Sequence, residues 1–133
     1  MIMNTQQHLI NIAKKLVGKF PLTIKDNNAG GVAAALISSE GHIYSGICMN
    51  INCSLGFCAE TAAIAEMLKH RETQIEMIVA IHYRKKQIIT PCGRCRELLY
   101  QINPLNLNTK IITSSTETKS LQELLPNVWL SQI

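Results

Sequence analysis

Aromatic residues are scarce in this 133-residue chain: two Phe, three Tyr and one Trp, 5% in all. Any core must therefore be mainly aliphatic. A single-stranded nucleic-acid channel, which needs stacking rings on a basic track, has little to be built from. Charge is also thin, at 17% charged residues and a net +4, and the only tight basic run is Arg84-Lys85-Lys86. That pattern suits a solvated surface better than a nucleic-acid stripe. No apolar run approaches the ~18 residues that a membrane span requires. The opening Met1-Ile2-Met3-Asn4-Thr5-Gln6-Gln7 has no charged segment leading into an apolar one, so a secretory leader is not expected there. Apolar residues make up 47%, enough for a packed core, and the length suits one domain over residues 1–133.

Five cysteines are present, an odd number: Cys48, Cys53, Cys58, Cys92 and Cys95. With no leader, the expected compartment is the cytoplasm, where cysteines signal metal binding or catalysis before disulfides. Asn4 or Thr5 can cap a first helix carrying Leu9, Ile12, Ala13, Leu16 and Val17, with Gly18 and Pro21 ending it. Residues 26–31 read as a loop. Val32–Ser38 and His42–Met49 read as a hairpin turning at Gly41, and residues 50–57 as a second loop. Cys58 to about His70 has helical periodicity in Ala59, Ala63 and Met67. Ile75–Tyr83 reads as a buried strand. Pro91 suits the first position of a further helix to about Ile102. Lys110–Thr113 and Glu117–Ser120 read as strands, and Leu121–Leu125 as a last helical turn. Strand, helix, strand, helix, strand in the middle predicts parallel neighbours.

The chemistry concentrates in Cys58-Ala59-Glu60 and Pro91-Cys92-Gly93-Arg94-Cys95. Cys92 and Cys95, three apart on a first helical turn, point the same way. Cys58 opens the other central helix, and helices following parallel strands begin at the same sheet edge. Helix N-termini favour thiolates, the metal-binding form. Three cysteines leave one tetrahedral position open, which marks a catalytic Zn²⁺ site rather than a closed structural one. Zinc lowers the pKa of a water in that position toward neutrality. Glu60, two residues after Cys58, can stand beside the open position without ligating and move protons. Cys53 as a fourth ligand would close the site but leave Glu60 idle. The four histidines, His8, His42, His70 and His82, have no ligand spacing with the cysteines.

These two motifs resemble those of the cytidine deaminase family, in which a proton-moving Glu sits beside a zinc held by Cys and a Pro-Cys-x-x-Cys half. The likeness runs over roughly residues 30 to 129, including Val32–Leu36 with Glu40–Gly46, and Glu123–Trp129. Within the family, Pro91-Cys92-Gly93-Arg94-Cys95-Arg96 and the tail ending at Trp129 are most similar to the blasticidin S deaminase branch. The resemblance implies a three-layer α/β/α fold with a mixed five-stranded sheet and helices on both faces. It implies hydrolytic deamination of the cytosine ring of a free nucleoside or nucleoside analogue, and a homotetramer whose subunits contribute to each other's sites. It also implies substrate contacts at Asn50, Ala59, Lys86, Thr90 and Trp129, with the Thr90 carbonyl facing the amino group.

Two family features are missing. Plain cytidine deaminases hold the ribose with an Asn and a Glu after the hairpin glycine. Here Gly46-Ile47-Cys48-Met49-Asn50-Ile51-Asn52 places Cys48 and Asn50 there, or Asn52 if one residue is skipped. No carboxylate stands there, so plain cytidine is in question. Many three-cysteine members also carry an Arg directly after the catalytic Glu, where this chain has Thr61. Three thiolates on Zn²⁺ sum to a net negative charge, and Arg94 is the substitute cation at hand. Lys86 reads either as an anion contact or as a solvated lysine in a turn. Trp129 reads either as a pocket lid or as a packing aromatic. The rival functions are deamination within single-stranded nucleic acid, for which the aromatics are few, and a zinc-binding protein without turnover, which would have no use for Glu60.

Overall fold

A computed structural model describes residues 4–132. Met1 to Met3, the start of the stretch in which no leader is expected, lie outside the described residues. Asn4 caps α1 (Thr5–Leu16), its side chain accepting from the Gln7 amide at 2.7 Å. The buried face of α1 is Leu9, Ile10 and Ala13, with Val17 just beyond; Leu16 is exposed. The other strands are β1 (Phe20–Pro21), β2 (Asn28–Ser38), β3 (Ile43–Asn50), β4 (Ile75–His82), β5 (Gln87–Ile89), β6 (Lys110–Ile112) and β7 (Thr118–Ser120). The other helices are α2 (Ala59–Lys69), α3 (Gly93–Ile102) and α4 (Leu121–Leu124), and a 3₁₀ turn at Trp129–Gln132 ends the description.

The sheet has seven strands, not five. Five form its body in the order β3-β2-β4-β6-β7. The short β1 pairs with the start of β2, and β5 with the end of β4. Phe20–Pro21 and Gln87–Ile89 show no strand pattern of their own, which is why the sequence hides them. β4 and β6 are parallel as expected. β3 and β4 are not neighbours: β2 lies between them, antiparallel to both. They still point the same way, and the short β5 turns back only along the last residues of β4 before α3, so α2 and α3 begin near one edge.

Each strand alternates between two aliphatic layers. Ala33 and Ala35 of β2 and Met77, Val79 and Ile81 of β4 pack with Leu9, Ile10 and Ala13 of α1. Ala34, Leu36 and Ile78 face the other way, onto Ala63, Ile64 and Met67 of α2 and Leu99 of α3. Helices thus cover both faces. Residues 28–31, expected as loop, belong to β2, and its register shifts between Ala29 and Ala33. Gly30 takes φ +81 there, and a Cβ would meet the Gly18 carbonyl oxygen at 2.2 Å. Here the glycines mark an irregularity inside a strand.

One contact sets how closely α2 approaches the sheet. A Cβ on Gly46 of β3 would stand 2.5 Å from the Ala62 Cβ and 2.7 Å from the Ala63 amide nitrogen. Gly46→Val therefore pushes α2 off β3, and overpacking of this kind costs about 1–3 kcal/mol. Thermal unfolding shifts downward, and turnover falls with it because α2 carries Cys58 and Glu60 at its start.

The β2–β3 hairpin is tied down by Glu72, buried although acidic. Its Oε1 accepts from Ser38 Oγ at 2.5 Å, and its Oε2 accepts from the Tyr44 hydroxyl and lies 3.0 Å from His42 Nδ1. The Ser38 and Tyr44 hydroxyls hold its carboxyl at about 2, below the ordinary 4.5, against the opposing effect of burial. Folding thus favours the ionised form. This stabilisation is present above pH 4.5 and is lost as pH falls from there toward 2. Glu72→Gln should melt several degrees below the wild type at pH 7. The gap narrows when both are melted at pH 3, and an equal gap at both pH values would reject the account.

Candidate active site

Cys58 and Cys92 occupy the N-cap positions of α2 and α3, both with extended backbone (ψ 156 and 170). Gly93 is the first helical residue, so Pro91 precedes the cap instead of opening the helix. Neither thiol spends itself on capping its own helix. Cys95 follows within the first turn of α3 and is fully buried. Arg96 braces this segment, its Nε donating to the Pro91 carbonyl at 2.8 Å and a terminal nitrogen donating to the Leu124 carbonyl at 3.2 Å.

The sulfurs of Cys58 and Cys92 are 3.9 Å apart, those of Cys92 and Cys95 3.8 Å, and all three lie within 4.8 Å of one another. A tetrahedral zinc with Zn–S bonds of about 2.3 Å spaces its sulfurs about 3.8 Å apart. The three thiols fit one such ion with a fourth position left over. Cys53 is exposed and does not join the group, so the closed four-cysteine arrangement does not form among the described residues. Burial pushes the Cys58 and Cys95 thiols up. At Cys92 burial acts the same way but is outweighed by the Cys95 amide, the Cys95 and Cys58 thiols and the Arg94 amide, and the thiol is lowered.

Glu60, in the first turn of α2, is only 3% exposed. Burial raises its carboxyl, partly offset by its own amide and the Cys95 thiol. A carboxylate placed dry beside a thiol cluster is poised to carry a proton.

Cys58, Cys92 and Glu60 line a cleft of about 780 Å³ that also takes in Asn50, Ala59, Thr90 and Arg94. Two expected contacts are not in its wall. Lys86 stands in the exposed turn between β4 and β5, and Trp129 is 58% exposed near the chain's end. Asn50 Nδ2 donates to Asn28 Oδ1 at 3.1 Å. Asn52 gives both its amide and its Nδ2 to Asn27 Oδ1, each at 2.9 Å, which fixes the turn after β3. Cys48 lines the cleft, its sulfur accepting from the Val32 amide at 3.2 Å. Sequence reasoning overlooked Lys19, Tyr83 and Arg84 in the same wall. The adjacent aromatic and base at Tyr83-Arg84 were the available signal. Lys19 gave none.

A profile for the cytidine and deoxycytidylate deaminase zinc-binding region matches residues 3–109. The chain belongs to that family. The deaminase is 26% identical over 138 aligned positions to a blasticidin-S deaminase of Bacillus cereus, covering 92% of this chain and 93% of the relative. To a probable cytidine deaminase of Dictyostelium discoideum it is 29% identical over 99 positions, covering 74% and 67%. A cytidine deaminase from Bacillus anthracis superposes with TM-score 0.74 at 25% identity, over 97% of this chain and 92% of that one. One from Mycobacterium tuberculosis shares the fold, with TM-score 0.77 at 20% identity, over 96% and 98%. The deaminase is zinc-dependent and hydrolytic, and its thiol cluster suits the metal. Among the described residues no helix is long and apolar enough to cross a membrane.

Proposed function

We propose that the deaminase replaces the amino group at C4 of a cytosine-type ring with oxygen and releases ammonia, acting on a free nucleoside or nucleoside analogue. The observation that carries this reading is the thiol triangle at zinc spacing with buried Glu60 lining the same cleft. Cys58, Cys92 and Cys95 would hold the zinc, which would supply an activated water at neutral pH. Glu60 is the group placed to move the protons: it would take one from the attacking water and put it on the ring nitrogen, then take the second from the new C4 hydroxyl and give it to the departing amine, so both water protons end in the ring N–H and in ammonia. The backbone at Ala59 and the Thr90 carbonyl orient the ring and its amino group. Arg94, between two ligands, offsets the surplus negative charge of three thiolates. Asn50 faces the sugar or its replacement.

Trp129, Leu130 and Leu105 are exposed apolar groups on the same chain. Their exposure supports a homotetramer in which Trp129 serves a neighbour's cleft, and sedimentation of the zinc-loaded protein tests it. A cytoplasmic setting keeps the ligand thiols reduced. The deciding assay is ammonia release from cytidine, deoxycytidine and blasticidin S. Release from either of the first two assigns a salvage role, with Asn50 or a neighbour doing the work of the missing carboxylate. Release from blasticidin S alone assigns antibiotic inactivation. Silence with all three, zinc bound, rejects the substrate class.

A further inference from the structure

We propose that Lys19, Tyr83 and Arg84 form a subsite for an anionic group carried on the sugar side of the substrate. The inference rests on the deamination reading above and narrows its substrate class. All three residues line the same cleft as Glu60 and Cys58. Their link to the sugar side is Gly31. A Cβ built there would lie 3.5 Å from the Tyr83 ring and 4.0 Å from Cys48 Sγ, so the ring and the thiol approach each other across a residue without a side chain. Counted from Gly46 without a gap, Cys48 holds the position at which the family resemblance puts a sugar-binding Asn. The wall that leads away from the sugar therefore continues directly into Tyr83.

Two cations converge on that ring. Lys19 Nζ is 5.5 Å and the Arg84 guanidinium carbon 5.7 Å from its centroid. Arg84 Nε donates to the Tyr83 hydroxyl at 3.2 Å, and this hydrogen bond holds the phenol below its ordinary value. Neither cation forms an ion pair with a carboxylate among the described residues. Asp26 is the one carboxylate of the cleft besides Glu60, so the basic charge is only partly offset. Both cations are exposed; Arg84 is oriented by its bond to the phenol, and Lys19 follows Gly18, whose amide donates to the Gly30 carbonyl at 2.9 Å. A planar guanidinium and an ammonium flanking one ring, both short of a carboxylate partner, suit a phosphate or carboxylate oxyanion. It also gives a reason for the missing sugar-binding carboxylate, which would repel such a substrate.

The test compares cytidine, cytidine 5′-monophosphate and the 5′-carboxylate analogue of cytidine as substrates of the zinc-loaded protein at low salt, with Arg84→Gln and Lys19→Gln alongside. Inorganic phosphate is titrated calorimetrically against the same proteins. We expect kcat/KM for one anionic substrate to exceed that for cytidine by about tenfold or more, chiefly through KM, as charge-assisted contacts allow. The phosphate and carboxylate arms tell which oxyanion fits. Each variant should shrink that ratio about tenfold, and added salt should do the same. Cytidine preferred over both anions, or a ratio equal in wild type and variants, overturns the proposal. Arg84-dependent phosphate binding without ammonia from any substrate keeps the subsite and rejects the deamination reading. Ammonia from cytidine without Arg84-dependent anion preference does the reverse.

Discussion

Cys95→Ala is expected to yield a folded protein that retains essentially no zinc and releases no measurable ammonia. Cys95 is fully buried, and its sulfur lies 3.8 Å from that of Cys92 at the inner corner of the thiol triangle. Removing it leaves two sulfurs, and the remaining positions cannot be filled by Cys53, which is exposed and outside the group. Losing a group that merely orients a ligand costs about 10–100-fold in metal affinity, so losing a ligand costs more. The fold survives because the helix starts are not built on the metal. Arg96 ties Pro91 to the α4 turn, and α2 packs on β3 through Gly46. Zinc per chain by elemental analysis, ammonia release and circular dichroism check the three parts separately. Cys53→Ala is the control and should keep full zinc. A Cys95→Ala protein with one zinc per chain would break the ligand assignment.

The parts of this picture legible in the sequence are those whose signals are local. A cap such as Asn4, a hairpin glycine such as Gly41 and the three-residue spacing of Cys92 and Cys95 each report on a few neighbouring residues. Placing Cys58 beside them needed one step more, that helices starting at one sheet edge converge. β2 separates β3 from β4, yet the two run the same way, and β5 folds back only along the end of β4, so both helices still start near one edge. What the sequence hid is pairing at a distance. β1 and β5 exist because β2 and β4 offer them an open edge, not because Phe20–Pro21 or Gln87–Ile89 has a strand pattern. For the same reason Lys19, Tyr83 and Arg84 are invisible as a group. They come from two stretches more than sixty residues apart in the chain, and β2 brings them together by accepting from the Gly18 amide at the Gly30 carbonyl and from the Tyr83 amide at the Gly31 carbonyl. Asn27 and Asn52 share this character, since nothing in either stretch announces that one carbonyl serves two donors.

Glu60→Gln should separate metal binding from catalysis, with zinc content and melting temperature kept and ammonia release cut by about 10²–10⁴, the range that positioned proton transfer supplies. The amide has the shape of the carboxyl, so the 3%-exposed site stays filled. Burial disfavours the ionised carboxylate of Glu60, and an amide carries no charge to desolvate, so stability has no reason to fall. What the amide cannot do is accept a proton and return it, and the proposed reaction asks this residue to do so more than once. Substrate binding should be nearly unchanged, placing the loss in kcat rather than KM. Loss of zinc in the Glu60→Gln protein would instead make Glu60 a ligand and the three-thiol site incomplete. Turnover within tenfold of wild type would move the proton transfer to another group in the cleft, with His82 the first to replace because it lines the same wall.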